Sequence, residues 1–223
     1  MYIRKRTSGL VPLSLLLSLA VSGTAHAATS PDFYAEFDPA AGQLPFPSNL
    51  LFGGSTDGTL NIPVADPDNL ADPRVALNGL DGFSTVAPLM AQFSSTLKAD
   101  TVRAGSTVRM FEVTLTNPFL DPGNPPFAVT EVKRELQAGS DYHVNLLPQD
   151  PSQTTLNIHP LLPLKPKTGY LVVLTSGIQD SGGFDASPSP VYALTKLTAP
   201  LVDANGNSVI PGLSAAQAQA LEP

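Results

Sequence analysis

The chain of 223 residues contains no cysteine. That excludes disulfides, thiolate metal sites, cysteine nucleophiles and lipid attachment at a lipobox. Tryptophan is also absent, so a carboxylate pair for glycoside hydrolysis has no indole platform beside it. Basic residues are scarce, 12 Lys+Arg against 19 Asp+Glu for a formal net charge of −7. They are scattered, and leave no footprint for a nucleic-acid backbone. Only one apolar run is long, near the N-terminus, and it is too short to span a bilayer. The mature protein is therefore expected to be soluble.

That run, Leu10 to Val21, follows the basic cluster Arg4, Lys5 and Arg6 and precedes Ala25-His26-Ala27. Basic start, apolar core and small-x-small site in this order predict a secretory signal peptide over 1–27, cleaved near Ala27. The remainder is expected in the extracellular space or the periplasm. Its length suits one domain, or one and part of a second, with enough core to dispense with disulfides.

What the chain has in excess is punctuation. Twenty-three Pro and seventeen Gly exceed the usual combined share of about 12%. Proline inside a helix removes a donor and clashes with the preceding turn. The Val-, Leu-, Thr- and Phe-rich runs between these breakers therefore read as many short strands, hence a sandwich or barrel. Strands are predicted at 33–37, 87–94, 107–115, 129–136, 142–146, 154–159 and 170–175. In the second of these, Leu89, Ala91 and Phe93 share one side. Leu156 and Ile158 do so in the sixth. The runs at 129–136 and 142–146, with Ala138-Gly139-Ser140 between them, are predicted to form a hairpin. Tyr170 to Thr175 is apolar almost throughout and predicts an inner strand covered on both faces. Helical signals are small: Asp72 capping a turn that starts at Pro73, with Gly79 past its end, and Ser214 to Leu221. That last segment, two turns long, is too short to stand alone in water and is expected to need a packing partner.

No catalytic or metal-ligating residue is assigned. Gly54-Ser55, Gly105-Ser106 and Gly139-Ser140 lack the second glycine of a nucleophile elbow. Asp180-Ser181-Gly182-Gly183 has the outline of a protease nucleophile loop but reads as a turn closed by the Asp180 side chain. His143 and His159 sit on separate strands without the paired spacing of helical zinc sites. No cofactor is expected. Calcium is the one cation that the acidic turns Asp66/Asp68/Asp72 and Asp180/Asp185 bring into consideration, and neither turn has the twelve-residue loop with a terminal Glu. The apolar segment Leu44 to Phe52 is too proline-rich for a helix and is expected to pack across the sandwich edge, the alternative being a surface that docks onto another domain.

Specific strings then resemble one family. Phe37-Asp38-Pro39, Leu44-Pro45-Phe46-Pro47-Ser48-Asn49-Leu50-Leu51-Phe52 and Asp57-Gly58-Thr59-Leu60-Asn61-Ile62-Pro63 are similar to the opening of the bacterial virulence-factor lipases. The stretch 72–85, from Asp72-Pro73-Arg74-Val75 to Gly82-Phe83-Ser84-Thr85, follows in the same order, as do Leu162 to Tyr170 and Thr175 to Asp180. The last block also resembles bacterial Ig-like modules. The resemblance implies an all-β, Ig-like sandwich over 28–202, then a linker and the start of a helix over 203–223. It implies a partner too: an α/β-hydrolase domain C-terminal to this region, carrying the catalytic serine. None of the family's catalytic residues falls on this chain, and the lipid anchor of some relatives has no cysteine here. The expected function is that of a non-catalytic N-terminal accessory domain of a secreted lipase. The alternative is a free-standing secreted binding module directed to a cell envelope, a polysaccharide or a partner protein.

Overall fold

The structure is a computed structural model that describes residues 29–117, 119–120, 126–197 and 199–210, together with Ala215 and Ala218. The expected signal peptide lies outside the described residues. So does most of the expected C-terminal helix, of which Ala215 and Ala218 are helical and Ala218 is buried.

The protein is an all-β sandwich. The strands are β1 (Thr29–Tyr34), β2 (Leu89–Gln92), β3 (Val108–Leu115), β4 (Val129–Glu135), β5 (Tyr142–Leu146), β6 (Thr155–Pro160), β7 (Gly169–Leu174) and β8 (Asp185–Ser187), with a short helix α1 (Pro73–Leu77) between β1 and β2 and another, α2 (Pro190–Leu194), after β8. Two antiparallel three-stranded sheets, ordered β2–β6–β5 and β4–β3–β7, are accompanied by a parallel pair, β1–β8. One core lies between the sheets. Val108 and Met110 of β3, two residues apart and so on one face, meet Leu156 and Ile158 of β6, with Phe33 and Phe93 stacked beside them. The predicted alternation of β2 and β6 is thus the inward face of one sheet.

Tyr142 ties the sheets together. Its ring is fully buried, its hydroxyl donates to the Val108 carbonyl at 2.9 Å and accepts from the Gly105 amide at 3.0 Å. Gly105 has φ +74, and a Cβ there would stand 3.1 Å from the Ala138 methyl, so glycine is what allows the approach. At the rim, Glu112 accepts from Lys165 Nζ at 2.9 Å and from Arg134 Nε at 3.2 Å, and Arg134 continues to Asp141 at 2.7 Å. The Lys165 ammonium is the main reason the Glu112 carboxyl lies below its ordinary range, with Arg134 contributing.

Two expectations are corrected. The runs at 129–136 and 142–146 are not a hairpin: β4 pairs with β3 and β5 with β6, in different sheets. Leu136 turns into the core, its amide donating to Met110 O, and Asp141 is drawn to Arg134 and the Gln137 amide, so the chain crosses between layers. β7 is not an inner strand either. It lies at a sheet edge, paired only with β3, and Leu171 is exposed. Tyr170, Val172 and Leu174 pack against the core, so its apolar run reflects one covered face, not two.

Candidate functional site

The segment between β1 and β2 builds the most distinctive surface. Asp38 caps a 3₁₀ turn at Pro39–Ala41 through the amides of Ala40 and Ala41. Phe46 then exchanges both backbone hydrogen bonds with Met90, at 2.9 and 2.7 Å, and so covers the edge of β2. The expected packing of 44–52 across the sandwich edge is what the structure contains, with one addition: Ser48 caps a 3₁₀ turn over Asn49–Phe52. Proline is confined to the first half of the segment, which leaves the second free to turn.

Amide side chains hold the next stretch. Asn78 grips the Ile62 backbone from both sides, its Oδ1 accepting from Ile62 N at 2.7 Å and its Nδ2 donating to Ile62 O at 2.9 Å. Asn61 Nδ2 donates to Gly53 O at 2.8 Å. Asp72 caps α1 as expected, through the Arg74 amide, and pairs with the Arg74 guanidinium at 2.6 Å. That guanidinium is the first cause of a lowered Asp72 carboxyl pKa.

The result is an apolar pocket of about 180 Å³, walled chiefly by Phe46, Leu60, Ile62, Leu77, Leu80 and Phe83. Phe83 stands edge-on to both Phe46 and Phe52, each at 5.8 Å. Phe46 is 44%, Leu80 46% and Val86 63% exposed. Contiguous exposed apolar side chains of this kind mark interaction surfaces more often than isolated ones do. Ser84 is the single hydroxyl in the lining, and its oxygen accepts from the amides of Val86 and Ala87.

The residues considered for catalysis are not brought together. Asp180 Oδ1 accepts from the amides of Gly182 and Phe184, both at 2.9 Å, closing the turn as expected, and the Ser181 amide donates to Thr96 O. Asp66 accepts from the Asp68 amide and Asp185 from Gln179 Nε2. Among the described residues no three His, Cys, Asp or Glu side chains gather, and no helix is long and apolar enough to cross a membrane.

The histidines are another matter. The sequence separates them, whereas the antiparallel pairing of β5 and β6 places His143 opposite His159, with rings stacked at 4.7 Å and 6° between planes. Asp150 in the connecting loop fixes this register. It accepts from the hydroxyls of Ser152 and Thr155 and from the Ser152, Thr154 and Thr155 amides, and is held far below the usual carboxylate range, the Ser152 hydroxyl foremost. The signal was present in the sequence, since two neighbouring alternating runs around the turn at Asp150-Pro151 form the hairpin that puts these positions face to face.

The fold and this surface define an all-β sandwich domain that presents apolar side chains from a long, amide-braced excursion. The family model for the bacterial virulence factor lipase N-terminal region matches residues 21–217, and the chain belongs to that family. No curated protein and no solved structure shows significant similarity to it.

Proposed function

We propose that the chain is the non-catalytic N-terminal accessory domain of a secreted bacterial lipase, acting to position, chaperone or tether a downstream α/β-hydrolase domain. The family match over residues 21–217 carries this reading. It is supported by the placement of Ser181 beside Thr96, which reaches the loop end of the β5–β6 hairpin, while His143 and His159 face each other toward its open end, and by the apolar surface around Phe46 and Leu80, which suits contact with another domain. Secretion rests on the predicted signal peptide and on the family.

An Ig-like variety of sandwich is supported by strand order. β2–β6–β5 corresponds to the B-E-D strands of that fold, and β4–β3–β7 to C′-C-F. Tyr170, at the start of β7, accepts at its hydroxyl from the Lys165 amide at 2.9 Å, five residues upstream. That is the arrangement of a tyrosine corner.

The DNA beyond codon 223 tests the reading. A continuation, in frame or frameshifted, that encodes Gly-x-Ser-x-Gly is the expected result, and a stop followed by an unrelated gene contradicts it. The second reading, a free-standing secreted binding module, is favoured by a core drawn from both sheets without help from another chain.

A further inference from the structure

The apolar pocket has a floor, a rim and one polar group. Leu60, only 5% exposed, is the floor, and the half-exposed Phe46, Leu77 and Leu80 form the rim. No charged side chain lines it. Its walls are held by the backbone: Phe46 through two hydrogen bonds with Met90, Leu60 through its amide on Leu80 O at 2.9 Å, and Ile62 through the Asn78 side chain. Walls braced in this way need little ordering when a ligand enters. Water is a poor occupant, because it needs two or more polar partners and the lining offers a single hydroxyl. An apolar cavity of about 150 Å³ stays dry and admits benzene. This one, at about 180 Å³, has room for an apolar body of about six or seven carbons.

The Ser84 hydroxyl restricts what the other end of that body can be. A serine oxygen has two lone pairs and one proton. The amides of Val86 and Ala87, at 3.3 and 3.0 Å, engage both lone pairs. Ser84 is exposed, and what its hydroxyl has left to offer is a proton. That selects an acceptor oxygen over an amine, and a carbonyl meets it with no proton of its own to place. The lining holds no cation, and Asp81 stands between Leu80 and Gly82 in the chain, so a free carboxylate is disfavoured. We propose that this pocket binds the apolar chain of an uncharged medium-chain carbonyl compound, a ketone or an ester, whose carbonyl oxygen accepts from Ser84. The binding belongs to this chain alone and stands whether or not the lipase reading holds.

Methyl-resolved carbon–proton NMR of the isotopically labelled chain, titrated with 2-pentanone, 2-heptanone and 2-octanone, tests this. Methyl hexanoate forms a parallel arm that separates ester from ketone, and octanoate is the charged control. The expected result is saturable shifts of the Leu60, Ile62, Leu77 and Leu80 methyls in at least one carbonyl arm. Affinity should rise about three- to fourfold per added methylene among the ketones, with octanoate weaker than 2-octanone by about tenfold or more. Ala87→Leu fills the pocket and is expected to abolish the shifts. Ser84→Ala keeps the cavity and is expected to weaken carbonyl binding by about three- to tenfold. Melting curves confirm that each variant is folded, and the length series in the parent decides if one is not. Absence of saturable shifts at these methyls up to about 5 mM in both arms overturns the proposal. So does affinity independent of chain length, octanoate binding as tightly as 2-octanone, or parent-like binding by folded Ala87→Leu or Ser84→Ala.

Discussion

The Tyr142 hydroxyl reaches across the sandwich to the Val108 carbonyl at 2.9 Å, joining the first residue of β5 in one sheet to the first residue of β3 in the other. The same oxygen accepts from the Gly105 amide. Burial pushes the phenol pKa up, so the group stays protonated and able to donate. Tyr142→Phe removes one of the two donors to the Val108 carbonyl, the Gly105 amide remaining at 2.9 Å, at an expected cost of about 0.5–1.5 kcal/mol. Urea denaturation should show a lower midpoint with an unchanged slope.

The core makes a larger demand. Met110 is wholly buried between the sheets, and Met110→Ala removes its packing and leaves a cavity. A loss of about 2–5 kcal/mol is expected. A value below about 1 kcal/mol would place Met110 outside the shared core, since surface substitutions stay near that range.

Acid should act through Glu112. Lys165 and Arg134 hold its folded-state pKa below the ordinary 4.5. Its contribution is therefore fully present above that value and is lost as pH falls through the lower, folded-state pKa. Glu112→Gln is expected to melt below the parent at pH 7, with the gap closing as the pH is taken below about 4. Melting temperatures of both proteins across that range check the sign. A gap that widens in acid would contradict it.

Leu80 lines the pocket and is half exposed, so its replacement by aspartate bears on docking more than on folding. The accessory-domain reading predicts a melting temperature within a few degrees of the parent, as exposed sites change stability by about 0.5 kcal/mol. It also predicts clear loss of active lipase when Leu80→Asp is placed in a full-length relative. Unchanged lipase yield would remove this surface from the interface.

Much of this architecture was legible in the sequence. Short strands between prolines and glycines, the inward side of β2 and β6, the Asp72 cap of α1 and the Asp180 turn all follow from local patterns that the structure retains. What failed was pairing. Alternation in β4 shows that a strand forms but not which neighbour it meets, and the burial of Leu136 against the core, with its amide on Met110 O, is a tertiary effect. The apolar run of β7 looked doubly covered because one buried face and an apolar outer face cannot be told apart by composition. α2 was missed although Ser189 and Pro190 form an ordinary cap and first position. The histidine stack needed the register of β5 on β6, which only the correct hairpin supplies.

The proposed accessory-domain role expects no ester cleavage from this chain on its own. Release of nitrophenol from short- and long-chain nitrophenyl esters by the purified chain is its most direct measurement. The account predicts a rate indistinguishable from buffer. Turnover that co-purifies with the chain and disappears on Ser181→Ala would contradict it.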